Sequence, residues 1–70
     1  MISFLFGTVD LATDKFIILN TGVIGYRVFL NKTTLTIIAK QKQEVKLYTF
    51  LNVKEDELSL YGFLKWEELE

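Results

Sequence analysis

The sequence predicts an all-β fold: a small closed barrel of five short strands, with a short helical insert and the start of a C-terminal helix. Three observations predict it. Apolar residues alternate with a period of two, as at Val45, Leu47, Thr49 and Leu51, which is the pattern of a strand with one face inward. Glycines and polar clusters punctuate the runs at short intervals. The run Phe16-Ile17-Ile18-Leu19 is apolar on both faces, and runs covered on both sides call for closure rather than an open meander.

The first strand is expected over Ile2 to Asp10, with Gly7 marking a bulge or a close backbone approach where a barrel bends. Asp10 to Asp14 has loop composition. Lys15 to Thr21 forms the second strand around the apolar run. Gly22 and Gly25 bracket the next turn, where glycine tolerates positive φ. Tyr26 to Leu30 is the third strand. Asn31 to Lys40 carries mixed signals. Its threonines and isoleucines favour a strand, while Leu35 and Ile38 stand three apart and Asn31 or Thr33 can cap a helical turn. A short helix or 3₁₀ turn is the preferred reading. Glu44 to Val53 and Leu58 to Phe63 supply the fourth and fifth strands, the latter with Leu58, Leu60 and Gly62 on one alternation. Lys65 to Glu70 has the composition of the first turns of a helix, with Glu67 and Glu68 suited to its N-terminus and Trp66 packing it back on the barrel. That segment has no stop signal, so the chain is expected to continue into a longer protein. Five strands with a helical insert between the third and fourth match the OB-fold best, with an SH3-like barrel second. Residues 1–63 then form the domain, and residues 64–70 begin a connecting helix.

Seventy residues allow one small domain that buries only about 60% of its unfolded surface. Half the residues are apolar and six are Phe, which implies a dense core, an apolar face that serves oligomerisation, or both. A net charge of −1 argues against DNA binding by bulk electrostatics. The absence of Cys and His removes disulfides, most zinc sites and most nucleophilic triads. No cofactor is expected. No apolar run approaches the roughly 18 residues of a membrane span. The N-terminus lacks a basic signal-peptide region, so a cytoplasmic address is the default.

Two features carry functional content. The first is the acidic run Glu55-Asp56-Glu57 between two strand-like segments, at the expected tip of a hairpin. Such a cluster can repel an anion, bind a cation, or act as a solvated turn. Charged turns are commonplace. A hard cation needs six or more oxygen ligands, and three consecutive residues cannot all face one ion. A catalytic carboxylate pair lacks any accompanying base. The second feature is the aromatic set Phe4, Phe6, Tyr26, Tyr48, Phe50, Tyr61 and Phe63. OB-folds that bind single strands stack bases on such side chains. Core packing and a subunit interface are the preferred reading here, because the lysines are scattered and only Lys40, Lys42 and Lys46 cluster.

Three motifs carry a resemblance. The chain opens Met1-Ile2-x-x-Leu5-x-Gly7 and continues with Gly22-x-x-Gly25-Tyr26-x-Val28. It closes with Val53-Lys54-Glu55-Asp56-x-x-x-Leu60-Tyr61-Gly62-Phe63. In this order they resemble the N-terminal domain of the RuvA family, Holliday-junction-binding subunits of a bacterial branch-migration machine. The resemblance runs without gaps from Met1 to Phe63. It departs from the family pattern at Ser3, Phe4, Phe6, Val23 and Arg27. It implies an OB-fold domain and a non-catalytic role in recombination, DNA repair and the SOS response. It also implies assembly as a homotetramer or octamer, with Holliday junction DNA, the RuvB motor ATPase and the RuvC resolvase as partners. A helix-hairpin-helix domain that grips duplex DNA would follow the residues present here. The resemblance maps the family's acidic pin, at the centre of the tetramer, to Glu55 and Asp56; no role passes to Glu57.

Overall fold

The computed structural model describes residues 2–40, 44–54 and 57–65. In chain order the elements are β1 (Phe4–Ala12), β2 (Phe16–Asn20), β3 (Gly25–Phe29), α1 (Lys32–Lys40), β4 (Val45–Lys54) and β5 (Glu57–Phe63). The strands close into a barrel in the order β1-β2-β3-β5-β4. All neighbours are antiparallel except β3 and β5, which meet in parallel through Val28↔Leu60 and Phe29↔Tyr61. This closed five-stranded barrel, with a helix between its third and fourth strands, is a small OB-fold.

Closure depends on β1 serving two partners. Its first half pairs with β4 from Phe4↔Tyr48 to Gly7↔Val45, and its second half pairs with β2 from Thr8↔Asn20 to Ala12↔Ile17. The strand has to bend between them, and two sequence expectations are refined there. Gly7 is a close approach and not a bulge: a Cβ at this position would run into the backbone carbonyl of Asn20. The bulge lies at Asp10, where the register steps from Val9↔Leu19 to Leu11↔Ile18. The segment expected as a loop from Asp10 is therefore strand up to Ala12, because pairing with β2 recruits it. Thr13 makes the turn that remains. Its hydroxyl accepts hydrogen bonds from the Lys15 and Phe16 amides, at 3.1 and 3.0 Å.

The turn between β2 and β3 uses Gly22, whose φ of 113° is a conformation that side-chain-bearing residues rarely adopt. The mixed segment after β3 is an α-helix. The Asn31 side chain caps it by accepting a hydrogen bond from the Thr34 amide at 2.8 Å. Its buried face is Thr34, Leu35 and Ile38, so tertiary burial overrides the β-propensity of its threonines and isoleucines. Thr49 ties the N-terminal residues to β4: its hydroxyl donates to the Ile2 carbonyl at 2.7 Å, and its amide to the Ser3 carbonyl at 2.9 Å.

Among the described residues the buried core is wholly aliphatic: Leu5, Ile17, Leu19, Val28, Leu30, Leu35, Ile38, Val45, Leu47 and Leu60. This overturns the expectation that the aromatics pack the core. Tyr26 leans against it; Phe4, Phe6, Phe50 and Tyr61 are exposed. Inward positions of the barrel are filled mainly by branched aliphatic side chains, with Thr49 and Gly62 among them. An ideal Cβ on Gly62 would lie 2.6 Å from Val28 Cγ1 and 2.8 Å from Leu30 Cδ2.

Candidate functional site

The β4–β5 hairpin outruns its neighbours. β1 pairs with β4 only as far as Tyr48, and β3 meets β5 only at Leu60 and Tyr61. Beyond those points β4 and β5 pair only with each other among the described pairings, through Asn52↔Ser59, Val53↔Leu58 and Lys54↔Glu57. Two sequence neighbours of the barrel interior follow the hairpin out of it. Val53 continues the inward alternation of Leu47, Thr49 and Leu51, yet is 66% exposed. Leu58 continues that of Leu60 and Gly62, yet is 69% exposed. The inner face therefore emerges into solvent at the Val53↔Leu58 rung, one step beyond buried Ser59, so the end of the hairpin projects from the barrel.

Glu55 and Asp56, the residues expected to carry the pin, lie between the Lys54↔Glu57 rung and outside the described residues. The strands on either side of them are described, β4 up to Lys54 and β5 from Glu57. The helix expected over residues 65–70, with Trp66, also lies outside the described residues, apart from Lys65, which follows the end of β5. Of the local lysine cluster, Lys42 lies outside them as well. Lys46 is described, with its Nζ 4.6 Å from the Phe4 ring centroid and 5.1 Å from that of Tyr48. Among the described residues no group of His, Cys, Asp or Glu is arranged to hold a metal ion, and no helix is long and apolar enough to cross a membrane.

A second constellation was not anticipated from the sequence. Registers place Phe16 opposite Phe29, Phe29 opposite Tyr61, and Tyr61 opposite Phe50. One row of four rings thus crosses four adjacent strands on the outer face. Phe16 and Phe29 meet edge to face at 5.6 Å and 68°, and Phe29 and Tyr61 lie 5.6 Å apart at 36°. Arg27 places its Cζ 4.8 Å from the Phe16 ring centroid. The signal in the sequence was the two-faced apolar pattern of β2, which means covered outer positions as readily as a buried strand. Half-burial of Phe16 and Ile18 beside fully buried Ile17 and Leu19 shows the former case.

Comparison with known proteins adds an independent line. A family model described as the RuvA N terminal domain matches residues 1–62. The chain is similar to proteins named Holliday junction branch migration complex subunit RuvA. It is 42% identical over 69 residues to that of Acetivibrio thermocellus, covering 99% of this chain and 34% of the relative. It is 45% identical over 71 residues to that of Alkaliphilus oremlandii, covering 100% of this chain and 36% of the relative. The Bacillus velezensis protein is 40% identical over 68 residues, covering 97% and 32%. The chain therefore spans about a third of the length of the relatives it matches. With the closed barrel, the projecting hairpin and a match across nearly its whole length, the chain belongs to the RuvA N-terminal domain family.

Proposed function

We propose that the chain serves as the N-terminal domain of a Holliday-junction-binding subunit, and that Glu55 and Asp56 act as an acidic pin at the junction centre. The observation that carries this is the projecting β4–β5 hairpin, with its paired arms leading to Glu55 and Asp56, in a chain of the RuvA N-terminal family. Residues 1–63 would be the barrel domain, and residues 64–70 would begin the connection to a duplex-gripping helix-hairpin-helix domain. The role is non-catalytic and cytoplasmic: ATP hydrolysis belongs to a RuvB-type motor, and a RuvC-type resolvase is a further partner.

The physics is electrostatic guidance. At about 4 Å, two like charges repel by roughly 1 kcal/mol in water and by ~4 kcal/mol at an effective dielectric of 20. Four copies of the hairpin around a fourfold axis would present four acidic clusters to converging phosphates. They would weaken binding at the centre and keep the exchanging strands from settling there. Self-association as a homotetramer or octamer fits the exposed outer face of β1, where Phe4 and Phe6 are each 53% exposed.

The test replaces Glu55→Gln and Asp56→Asn in the full-length protein and measures junction and duplex affinity across a salt series. Loss of repulsion should tighten junction binding and flatten the preference for junction over duplex. The gain should shrink with salt, because the reach of the acids falls to about 8 Å at physiological ionic strength. Unchanged affinity and selectivity at low salt would reduce the acids to a solvated turn.

A further inference from the structure

We propose that the outer aromatic row Phe16–Phe29–Tyr61–Phe50, with Arg27, Lys15 and Lys32 beside it, is a binding site for an unpaired nucleic-acid strand, held by base stacking. This goes beyond the acidic-pin reading: the row crosses the β4–β5 hairpin at Phe50↔Tyr61, four residues back from its Lys54↔Glu57 rung, and continues over β3 and β2.

The row has the dimensions of such a site. Neighbouring strands stand about 4.8 Å apart, so four rings in register across four strands extend roughly 14 Å, enough for two or three bases. Tyr61 and Phe50 are 36% and 48% exposed, which leaves ring surface open at that end. At the other end Phe16 and Phe29 brace each other edge to face, and the Arg27 guanidinium lies over Phe16. Ring contacts already hold Phe16, Phe29 and Tyr61 against one another, which limits the side-chain freedom those three lose on binding.

Charge selects the occupant. A groove of about 480 Å³ runs beside Phe29 and Tyr61, with Lys15 and Lys32 among its walls and Asp14 as its acid. With Arg27 at Phe16, three cations and one acid flank the rings among the described residues. The chain as a whole is at −1, so this flank is locally positive against the overall balance. A ligand that meets both features carries flat π faces and a chain of negative charge. An unpaired strand has both, whereas a duplex hides its base faces. A second copy of this chain applied symmetrically would set these cations against themselves.

The test titrates the chain, at low salt, into a short fluorescein-labelled oligothymidine and into an abasic strand of equal length. Saturable binding to oligothymidine, and much weaker binding to the abasic strand, is expected. Tyr61→Ala and Phe50→Ala should each weaken binding about tenfold, towards the lower end of the range for a lost base–aromatic stack. Both side chains are exposed, and circular dichroism checks that each variant keeps its fold. With three cations engaged, log affinity should fall against log salt with a slope of about −2, and Arg27→Ala should make that slope shallower. Equal affinity for the abasic strand, no binding to oligothymidine, or variants that bind as the parent does would each overturn the proposal. So would sedimentation showing that Tyr61→Ala abolishes self-association while oligothymidine leaves it intact, since the row would then be covered by a second copy. The pin stands on junction affinity after charge removal at Glu55 and Asp56, so the two readings fail separately.

Discussion

Replacing Gly62 by alanine should destabilise the barrel, even though alanine is ordinarily the better strand residue. A Cβ built there lies 2.6 Å from Val28 Cγ1, 2.8 Å from Leu30 Cδ2 and 3.5 Å from Leu47 Cδ1. The first two separations are closer than real Cβ contacts. Val28 is fully buried and β-branched, so its methyl cannot swing aside without leaving its rotamer. Overpacking of this kind costs about 1–3 kcal/mol. Removing glycine's extra unfolded-state freedom returns roughly 0.5–1 kcal/mol. The net loss is therefore about 1–2 kcal/mol, a large share of the roughly 4–10 kcal/mol expected of a chain this short. Urea denaturation followed by circular dichroism should show a lower midpoint with an unchanged slope. Thermal melts should shift down by about 4–8 °C per kcal/mol. Adding Val28→Ala should recover part of the loss, with a coupling energy of about 0.5–3 kcal/mol in the double-mutant cycle. A Gly62→Ala variant as stable as the parent, or more so, would refute the claim that this barrel has no room for a methyl group between β5 and β3.

Gly7→Ala should be worse, because the obstacle is the Asn20 carbonyl and backbone cannot step aside as a side-chain tip can; a loss exceeding that of Gly62→Ala in the same urea assay is the expected result. Asn31→Ala removes the acceptor for the Thr34 amide and should cost about 1 kcal/mol, while Asn31→Asp should retain most of the stability; equal stability of Asn31→Ala would mean the cap contributes nothing. Val53→Thr with Leu58→Thr should leave stability within about 0.5 kcal/mol, since both side chains are mostly exposed on the projecting hairpin. A loss above about 1 kcal/mol in the melt would show that this rung is packed and does not project.

The period of two and the spacing of turn residues determined the elements. Val45, Leu47 and Thr49 are buried as the alternation required, and Leu60 and Gly62 likewise on β5. The helical insert was legible from Asn31 and the Leu35–Ile38 spacing, because capping and helical periodicity are local properties. Family membership was legible too, since its three motifs sit in one uninterrupted order. What the chain could not disclose locally was position relative to other strands. The bulge at Asp10 exists because β1 must change partners from β4 to β2, and no residue near Asp10 encodes β4. The aromatics looked like core residues because hydrophobicity reports a preference for burial, not a direction. Barrel closure settled the direction: aliphatic side chains took the interior, and register between strands distant in sequence aligned Phe16, Phe29, Phe50 and Tyr61 on the outside. Val53 and Leu58 continue an inward alternation but stand in solvent, because the barrel ends before their hairpin does. Alternation along one strand says which face a side chain takes; only the neighbouring strands decide whether anything lies there to cover it.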